Sequence, residues 1–323
     1  MLRTPFCELF DIEAPVLQAA IWPATSPELV AAVSESGALG TVAAIFSTGD
    51  ALREQIERVR SLTDRPFVVN HVVPNFDEEA FQATLGARPA AVSFALGHPG
   101  PLVERVHAAG SRVIHQVHNV AQARDAAELG VDVVIAQGSE AGGQGMVAGV
   151  GTMALVPQVV DAVAPIPVLA AGGVADGRGL AAALALGGAG ANVGTRFLAS
   201  AEASTDEGWQ QQIVAAESDE AVRFDTWSAI MPPRPPGAYD VVPRVIRTDF
   251  VREWESRPAE AASEADRLRT EVMGAVREGR AHELVPFSGQ TAGLIRDVRP
   301  AREIVRELVA GAETALRAAS SAS

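Results

Sequence analysis

The chain has 323 residues, which suits one large barrel of about 250 residues with additions. Hydrophobic residues make up 48% and charged residues 20%, a balance that excludes a disordered or fibrous chain. Acidic residues outnumber basic ones by 40 to 26, and the formal net charge of −14 argues against a nucleic-acid or membrane partner. We therefore expect a small-molecule ligand.

Cysteine and lysine usage restricts the chemistry further. The single cysteine, Cys7, cannot form an internal disulfide, and no signal peptide or spanning segment can be drawn, so we expect a cytoplasmic protein. All 26 basic residues are arginines. The absence of lysine excludes Schiff-base chemistry, pyridoxal phosphate attachment and a Walker phosphate loop. Other donors must therefore bind any phosphate group.

From residue 14 to about residue 199, short β-branched apolar runs alternate with alanine-rich amphipathic stretches, as in repeated βα units. The predicted strands are residues 15–20, 39–45, 67–73, 91–95, 112–117, 131–136, 167–171 and 191–193. Predicted helices between them include residues 27–36, 51–62, 101–109 and 121–129. Eight such units predict a TIM (β/α)8 barrel. The alternative, a doubly wound open sheet, usually has fewer strands and a glycine fingerprint after its first strand.

The pattern changes after residue 204. Residues 231–237 read Met-Pro-Pro-Arg-Pro-Pro-Gly, which predicts a stiff, extended connector. Beyond it we predict helices without strands, at residues 248–255, 260–278 and 299–319. The predicted organisation is a barrel core over residues 1–204, followed over residues 205–323 by the connector and a C-terminal helical appendage that packs on the barrel.

Three glycine-rich motifs follow predicted strands, at the barrel end where active sites form. The first reads Gln137-Gly-Ser-Glu-Ala-Gly-Gly-Gln-Gly145. The other two read Ala170-Ala-Gly-Gly-Val174 and Asn192-Val-Gly-Thr-Arg196. Taken singly, each motif is explained by a tight turn. As a pair after the last two strands, the second and third predict a phosphate site built from main-chain N–H groups, which needs no lysine.

These motifs, with Pro15-Val-Leu-Gln-Ala-Ala20 and Ser26-Pro-Glu-Leu-Val-Ala-Ala-Val-Ser-Glu-Ser-Gly-Ala-Leu-Gly40, resemble the nitronate monooxygenase family from about Phe6 to Ser200. The resemblance implies an FMN-dependent TIM barrel. The same scaffold is shared with flavin-dependent enoyl-acyl-carrier-protein reductases and some NAD(P)H:quinone reductases. The resemblance therefore indicates the fold more specifically than the reaction.

The resemblance also implies roles for individual residues. Asn70 would hydrogen-bond the flavin ring, and the backbone of Gln18, Ala20 and Ile21 would line the isoalloxazine. The residues implied to frame the ring and ribityl chain are Gln137, Gly138, Gly142 and Gly143. Those implied to bind the phosphate are Gly172, Gly173, Gly194 and Thr195.

Two positions depart from the family pattern. The family's glycine loop usually ends Glu-Ala-Gly-Gly-His, and that histidine is the active-site base or orients the substrate. Here the position is Gln144, whose amide hydrogen-bonds but cannot abstract a proton. The usual Ala-Pro-Met is Ala19-Ala20-Ile21, followed by Trp22, which alters the pocket shape. We predict that Gln144 and Asn70 act in catalysis, and that preformed nitronates are preferred over nitroalkanes.

Histidines near the strand ends are alternative bases or polar walls: His71, His98, His115 and His118. The predicted walls of the substrate pocket are Trp22, His71, His115 and Gln144. His115 and His118 lie three apart on a predicted strand and should face opposite sides, so we predict no metal site.

Three further assignments stay open. Glu140 either contacts ribityl hydroxyls or caps the following turn. Arg196 either supports the phosphate or forms a salt bridge at the barrel rim. Trp227 and Tyr239 either line the pocket or anchor the packing of the appendage.

The leading functional hypothesis is an FMN oxidoreductase that uses O2 to oxidise a small anionic, nitronate-like substrate. One alternative is an NAD(P)H-dependent reductase of enoyl thioesters or quinones on the same scaffold. Another is a flavin-binding protein without turnover, suggested by the missing histidine. The number of subunits stays open, with a homodimer as one alternative.

Overall fold

A computed structural model of the chain describes residues 2–231 and 233–321. Its strands are β1 (Val16–Gln18), β2 (Gly40–Ala43), β3 (Phe67–Val72), β4 (Ala91–Ala95), β5 (Arg112–Val117), β6 (Val133–Gln137), β7 (Gly143–Met146), β8 (Val168–Ala171), β9 (Gly190–Val193), β10 (Ala221–Arg223) and β11 (Val241–Ile246). Strands β4 and β5 have the predicted bounds, and each of the other predicted barrel strands overlaps an observed one.

Eight parallel strands form the barrel, in the order β1-β9-β8-β6-β5-β4-β3-β2. A parallel bridge between Leu17 and Leu39 joins the two ends of this order. There the main-chain N–H of Gln18 donates to the oxygen of Leu39 at 2.9 Å, and that of Leu39 donates to the oxygen of Val16 at 3.0 Å. The sheet is thereby closed, and the predicted TIM barrel is confirmed.

The helices are α1 (Pro5–Phe10), α2 (Pro27–Glu35), α3 (Gly49–Leu62), α4 (Glu78–Ala87), α5 (Leu102–Ala108), α6 (Val120–Glu128), α7 (Thr152–Val163), α8 (Gly177–Ala185), α9 (Thr195–Leu198), α10 (Glu207–Ala215), α11 (Trp227–Ile230), α12 (Asp249–Trp254), α13 (Pro258–Ser263), α14 (Ala265–Arg277), α15 (Ala281–Leu284) and α16 (Ala301–Ser320). Short 3₁₀ turns cover Val73–Asn75, Ser218–Glu220 and Gln290–Leu294. Within residues 2–231 and 233–321, no helix combines the length and apolar character that crossing a bilayer requires.

Local signals set the ends of the barrel helices. Ser26 caps α2 by accepting a hydrogen bond from the N–H of Leu29 at 2.9 Å, and Asn119 caps α6 in the same way through Gln122. After α6, Gly130 adopts a φ of +79°, a conformation that glycine takes without strain. Side-chain caps therefore fix the starts of α2 and α6, and a glycine ends α6.

The lower end of the barrel is closed by α1. Phe6 and Phe10 of this helix pack in one apolar cluster with barrel residues such as Leu17, Ile114 and Leu169. The Thr4 hydroxyl, just before α1, donates to the main-chain oxygen of Ala189 at 2.6 Å, just before β9. A ligand therefore reaches the barrel from the opposite end, where the strands finish.

Helix α16 belongs to the outer ring of the barrel, because it packs on α8 and on α2. Residues 205–300 are therefore an insertion between β9 and the helix that completes the ring. The sequence pattern had placed the helix corresponding to α16 in the C-terminal appendage, together with the residues of this insertion. The boundary at residue 204 stays a prediction.

The prediction of helices without strands beyond residue 237 is wrong. Strand β11 pairs with β10 on one side and with β7 on the other, forming a three-stranded antiparallel sheet. Its sequence, Val-Val-Pro-Arg-Val-Ile, is rich in β-branched residues, which favours a strand once a partner is available. The partner is β7, inside the first glycine motif. The predicted helix at residues 260–278 is two helices, α13 and α14, which meet at Glu264.

Packing of α16 on α8 depends on a close approach at Gly177. A Cβ added there would lie 2.3 Å from both the main-chain nitrogen of Ala312 and the carbonyl carbon of Gly311. We expect Gly177→Ala to lower the free energy of unfolding by about 1–3 kcal/mol, because the two helices must separate. Chemical denaturation followed by circular dichroism measures this change.

Gly274→Ala is the matched control. A Cβ at this position in α14 has no atom within 4 Å, so the substitution should raise stability by about 0.5–1 kcal/mol. Equal denaturation midpoints for Gly177→Ala and the unaltered protein would contradict the packing argument.

Candidate active site

A cavity of about 790 Å³ opens at the carboxyl ends of the barrel strands. Its volume is near the upper end of the range of about 300–1,000 Å³ that small-molecule sites occupy. The sequence-predicted residues that line it are Gln18, Ala20, Ile21, Trp22, Asn70, Gln137, Gly142, Gly143, Gln144, Gly172, Gly173, Gly194 and Thr195. Most of the predicted site is therefore gathered around one cavity.

Glycines at the ends of β8 and β9 form one side of the cavity. Gly172 and Gly173 have φ values of +95° and +76°, which residues other than glycine rarely adopt. A Cβ on Gly172 would lie 2.8 Å from the nitrogen of Ala141, whereas one on Gly173 would project into open space. In the described part of the chain, the N–H groups of Gly172, Gly173 and Gly194 donate to no protein acceptor. They are available to a ligand.

A segment that the sequence did not single out covers this glycine cradle. The N–H of Gly289 donates to Thr195 Oγ1 at 2.9 Å, and a Cβ on Gly142 would lie 2.5 Å from the nitrogen of Gly289. Ser288 and Thr291 of the same segment line the cavity. Their distance along the chain from the glycine motifs explains why sequence reasoning missed them.

Two amide side chains that line the cavity are held by hydrogen bonds to neighbouring strands. The side chain of Gln18 is fully buried, and its Oε1 accepts a hydrogen bond from the N–H of Thr41 at 2.9 Å. Asn70 Nδ2 donates to Ser93 Oγ at 2.8 Å. Both amides are thereby fixed in orientation at strand ends that face the cavity.

Two buried polar atoms that belong to cavity-lining residues lack a partner in residues 2–231 and 233–321: Thr41 Oγ1 and Asn192 Oδ1. Buried polar atoms are almost always hydrogen-bonded, so these two indicate a ligand that completes the site. Together with the glycine cradle, they form a site that could hold a ligand with an anionic group at the main-chain donors. Asn192 was not assigned a role from the sequence, although it opens the third glycine motif.

Gln144 lies on β7, opposite Pro243 of β11. Its main-chain oxygen accepts from Gln137 Nε2 at 3.0 Å, and its side-chain Oε1 accepts from Arg234 Nη2 at 3.0 Å. Arg234 belongs to the proline-rich connector and also lines the cavity. The sequence had predicted the connector but had given no role to its arginine.

The outer wall of the cavity is apolar. Trp22 packs edge to face on Phe46, with ring centroids 5.0 Å apart, and Trp227 packs similarly on Phe287 at 6.2 Å. The insertion supplies further apolar lining residues: Met231, Val272, Met273, Val276 and Val285. Trp227 therefore both lines the cavity and anchors the insertion.

His71 and His115 do not line the cavity, and this part of the prediction is corrected. Side chains alternate along a strand, and their neighbours Asn70 and Gln116 face the cavity. His71 therefore points to α4, where its Nε2 lies 2.8 Å from Thr84 Oγ1. Burial lowers the pKa of His71 to about 4, against a small opposing effect of Asp77.

His115 and His118 both contact Tyr239, which contradicts the prediction that they face opposite sides. His115 Nε2 lies 3.2 Å from Tyr239 Oη, and the His118 ring packs edge to face on Tyr239 at 6.0 Å. The prediction failed because β5 ends at Val117, so that strand alternation does not extend to His118. Burial lowers the pKa of both histidines to about 4. No group of three metal-binding side chains forms among the described residues.

The structure decides the open assignments of Glu140 and Arg196, and it corrects the role implied for Gly138. Glu140 caps α7, since its Oε1 and Oε2 accept from the N–H of Thr152 at 3.0 and 2.9 Å. Arg196 forms a salt bridge to Asp297 at 3.2 Å instead of facing the cavity. Gly138 was expected at the cofactor, but a Cβ there would lie 2.1 Å from Thr152 Oγ1, so it packs under α7.

The sequence pattern of the nitronate monooxygenase family matches residues 3–85 and 77–311, so the chain belongs to this family and the resemblance is confirmed. The protein is accordingly an oxidoreductase, and its family and structural neighbours are flavoenzymes. This result removes the alternative of a flavin-binding protein without turnover.

Three known proteins illustrate the range of relatives. A (3aS,4S,5R,7aS)-5-hydroxy-7a-methyl-1-oxo-octahydro-1H-indene-4-carboxyl-CoA dehydrogenase of Mycobacterium tuberculosis is 33% identical over 99% of this chain and 98% of its own. The structure of FabK from Thermotoga maritima has a TM-score of 0.90 and 33% identity, covering 100% of both chains. Nitroalkane oxidase from Streptomyces ansochromogenes has a TM-score of 0.83 and 28% identity, covering 97% of this chain and 99% of its own.

Replacing His71 should make stability less dependent on pH. The folded pKa of about 4 lies below the unfolded value of 6.5, so the unfolded chain binds more protons between these values. The contribution of neutral His71 to the free energy of unfolding is therefore complete above pH 6.5. It decreases by about 1.4 kcal/mol per pH unit as the pH falls toward 4. His71→Phe, whose ring would pack among Phe76, Phe81 and Phe94, should lose this dependence.

Urea denaturation at several pH values between 7 and 4.5 gives the free energy of unfolding as a function of pH. The slopes of this dependence are then compared for the unaltered protein and His71→Phe. The same preparations should contain equal amounts of flavin, because His71 lies outside the cavity. Identical slopes would contradict the burial argument, and loss of flavin would contradict the placement of His71.

Proposed function

We propose that the protein is an FMN-dependent oxidoreductase that oxidises a small anionic, nitronate-like substrate with dioxygen. The observation that supports this proposal most directly is the environment of Gln144. Where the family has its histidine, this cavity has an amide hydrogen-bonded to the Arg234 guanidinium at 3.0 Å. Within the described residues, no histidine lines the cavity, and Asp240 is its one carboxylate. The site is suited to hold an anion more than to remove a carbon-bound proton.

FMN binding is supported by the chemistry of the lining groups. The N–H groups of Gly172, Gly173 and Gly194 would hold the phosphate, and Asn70 and Gln18 would face the ring. A bound flavin supplies the two-electron oxidation of the substrate and the return of these electrons to dioxygen. Because main-chain donors need no protonation, the cradle works without lysine at any pH at which the protein is folded.

Gln144 is proposed to hold the substrate through hydrogen bonds. An amide side chain donates and accepts but has no useful pKa, so it cannot replace histidine as a general base. A nitronate is already deprotonated and needs no base, whereas a neutral nitroalkane must lose its α-proton first. The substitution therefore favours the preformed anion as substrate.

A reductase of enoyl thioesters or quinones that uses NAD(P)H is the second candidate. Its specific support is the apolar outer wall formed by Trp227, Met231, Met273 and Phe287, which suits a larger apolar substrate. The relative from Mycobacterium tuberculosis, which is named as a dehydrogenase of a carboxyl-CoA compound, agrees with a thioester substrate.

Oxygen consumption with matched nitronate and nitroalkane substrates tests the first candidate. At neutral pH we expect turnover of propionate 3-nitronate without NADH, and at least about a hundredfold slower turnover of the neutral nitro compound, because general-base catalysis commonly contributes that much. Gln144→His should raise the rate with the nitro compound while changing the nitronate rate less. Comparable turnover of both substrates by the unaltered protein would contradict the role given to Gln144.

Anaerobic mixing with NADH separates the two candidates. Rapid bleaching of the bound flavin by NADH, with no oxygen consumption on nitronate, would support the reductase and overturn the first candidate. Slow or absent bleaching, with turnover of nitronate in air, is the result that the first candidate requires.

A further inference from the structure

We propose that Arg234 determines substrate specificity by binding the anionic end of the substrate together with Gln144. This inference rests on the proposed function, because it assumes an anionic substrate. It extends the role of Arg234 from a partner of Gln144 to a direct contact with the substrate.

The contact between Arg234 and Gln144 fixes the direction of the amide. Arginine carries donors only, so the Gln144 atom that faces Arg234 Nη2 at 3.0 Å must be the oxygen. The amide nitrogen then lies on the other branch of the side chain, and it has no protein acceptor in the described part of the chain. Arg234 thus converts Gln144 into a hydrogen-bond donor of fixed orientation.

Arg234 itself keeps donors for a ligand. Its Nη2 donates to Gln144 Oε1 and to the main-chain oxygen of Val241, at 3.0 and 2.9 Å. Its Nη1 and Nε have no acceptor among residues 2–231 and 233–321. Since both side chains line the cavity, they offer neighbouring N–H groups to one ligand. Such an arrangement suits a planar anion with two oxygens on one atom, which a guanidinium can bind with two parallel hydrogen bonds.

The charges around Arg234 leave it available to an anion. Burial lowers the pKa of Arg234, and the nearby carboxylate of Asp240 opposes this effect. The cavity's other lining arginine, Arg269, already pairs with Asp266 at 3.0 Å and donates to the main-chain oxygen of Ile230 at 2.9 Å. Arg234 therefore has more free donors than Arg269, and a cation with free donors favours anions at this cavity.

The connector is attached to the barrel close to Arg234. The N–H of Tyr239 donates to the main-chain oxygen of Leu96 at 3.0 Å, and Ala238 forms a bridge with Gly97. The Tyr239 hydroxyl lies 3.2 Å from His115 Nε2. These contacts hold the connector before substrate arrives, which reduces the entropy lost when Arg234 binds it.

Nitrate binding tests the inference, since nitrate is a planar, unreactive anion with oxygens on one nitrogen. Isothermal titration calorimetry of the FMN-loaded protein would compare the unaltered chain with Arg234→Met, Arg234→Lys and Arg277→Met. Arg277 is an exposed arginine of α14 outside the cavity and serves as the matched control. Flavin content and melting midpoint verify that each variant is folded and loaded.

We expect Arg234→Met to raise the dissociation constant for nitrate by about tenfold or more, because a hydrogen bond to a charged group is lost. Arg234→Lys should give an intermediate dissociation constant, since lysine keeps the charge but cannot form two parallel hydrogen bonds. Arg277→Met should bind nitrate as tightly as the unaltered protein does. In turnover of propionate 3-nitronate, Arg234→Met should raise KM more than it lowers kcat. Equal nitrate affinity for Arg234→Met and the unaltered chain, or no nitrate binding by the unaltered chain, overturns the inference.

The two proposals fail in different ways. If the unaltered protein binds nitrate through Arg234 but consumes no oxygen with nitronate, the proposed function fails and the anion site stands. If it oxidises nitronate with the same KM in the Arg234→Met variant, the function stands and the role of Arg234 is wrong.

Discussion

The proposed site depends on one interaction, the hydrogen bonds that main-chain N–H groups at the ends of β8 and β9 would donate to an anionic group of the ligand. Gly172, Gly173 and Gly194 leave these donors without protein acceptors. Gly172 and Gly173 adopt positive φ values, which favour glycine at both positions. In the proposed function these donors hold a phosphate without any lysine, and the position of the phosphate would set where a flavin ring meets Asn70 and Gln144.

The insertion between β9 and α16 completes what the barrel begins. It contributes β11, which holds β7 and therefore Gln144, and it contributes Arg234, Ser288 and Thr291 to the cavity. In the proposed function the insertion also orients the Gln144 amide, because Arg234 donates a hydrogen bond to its oxygen. The barrel and the insertion therefore line one cavity, and in the proposed function the barrel holds the cofactor while the insertion contacts the substrate.

Features repeated at short range were predictable from the sequence, whereas those made by distant contacts were not. The alternating βα pattern predicted the barrel, and the three glycine motifs contain many of the residues that line the cavity. Strand β11 and the Arg234 contact depend on pairing between segments about a hundred residues apart, which no local pattern records. His71 and His115 were misplaced for a different reason: the alternation of their own strands, with Asn70 and Gln116 facing inward, already excluded them.

Titration of the flavin-free protein with FMN and with riboflavin tests the central claim most directly. The two ligands share the ring and the ribityl chain and differ only in the phosphate. If main-chain donors grip the phosphate, FMN should bind at least about a hundredfold more tightly, because several charge-assisted hydrogen bonds are made to that group alone. Equal affinities, measured by quenching of flavin fluorescence, would contradict the account.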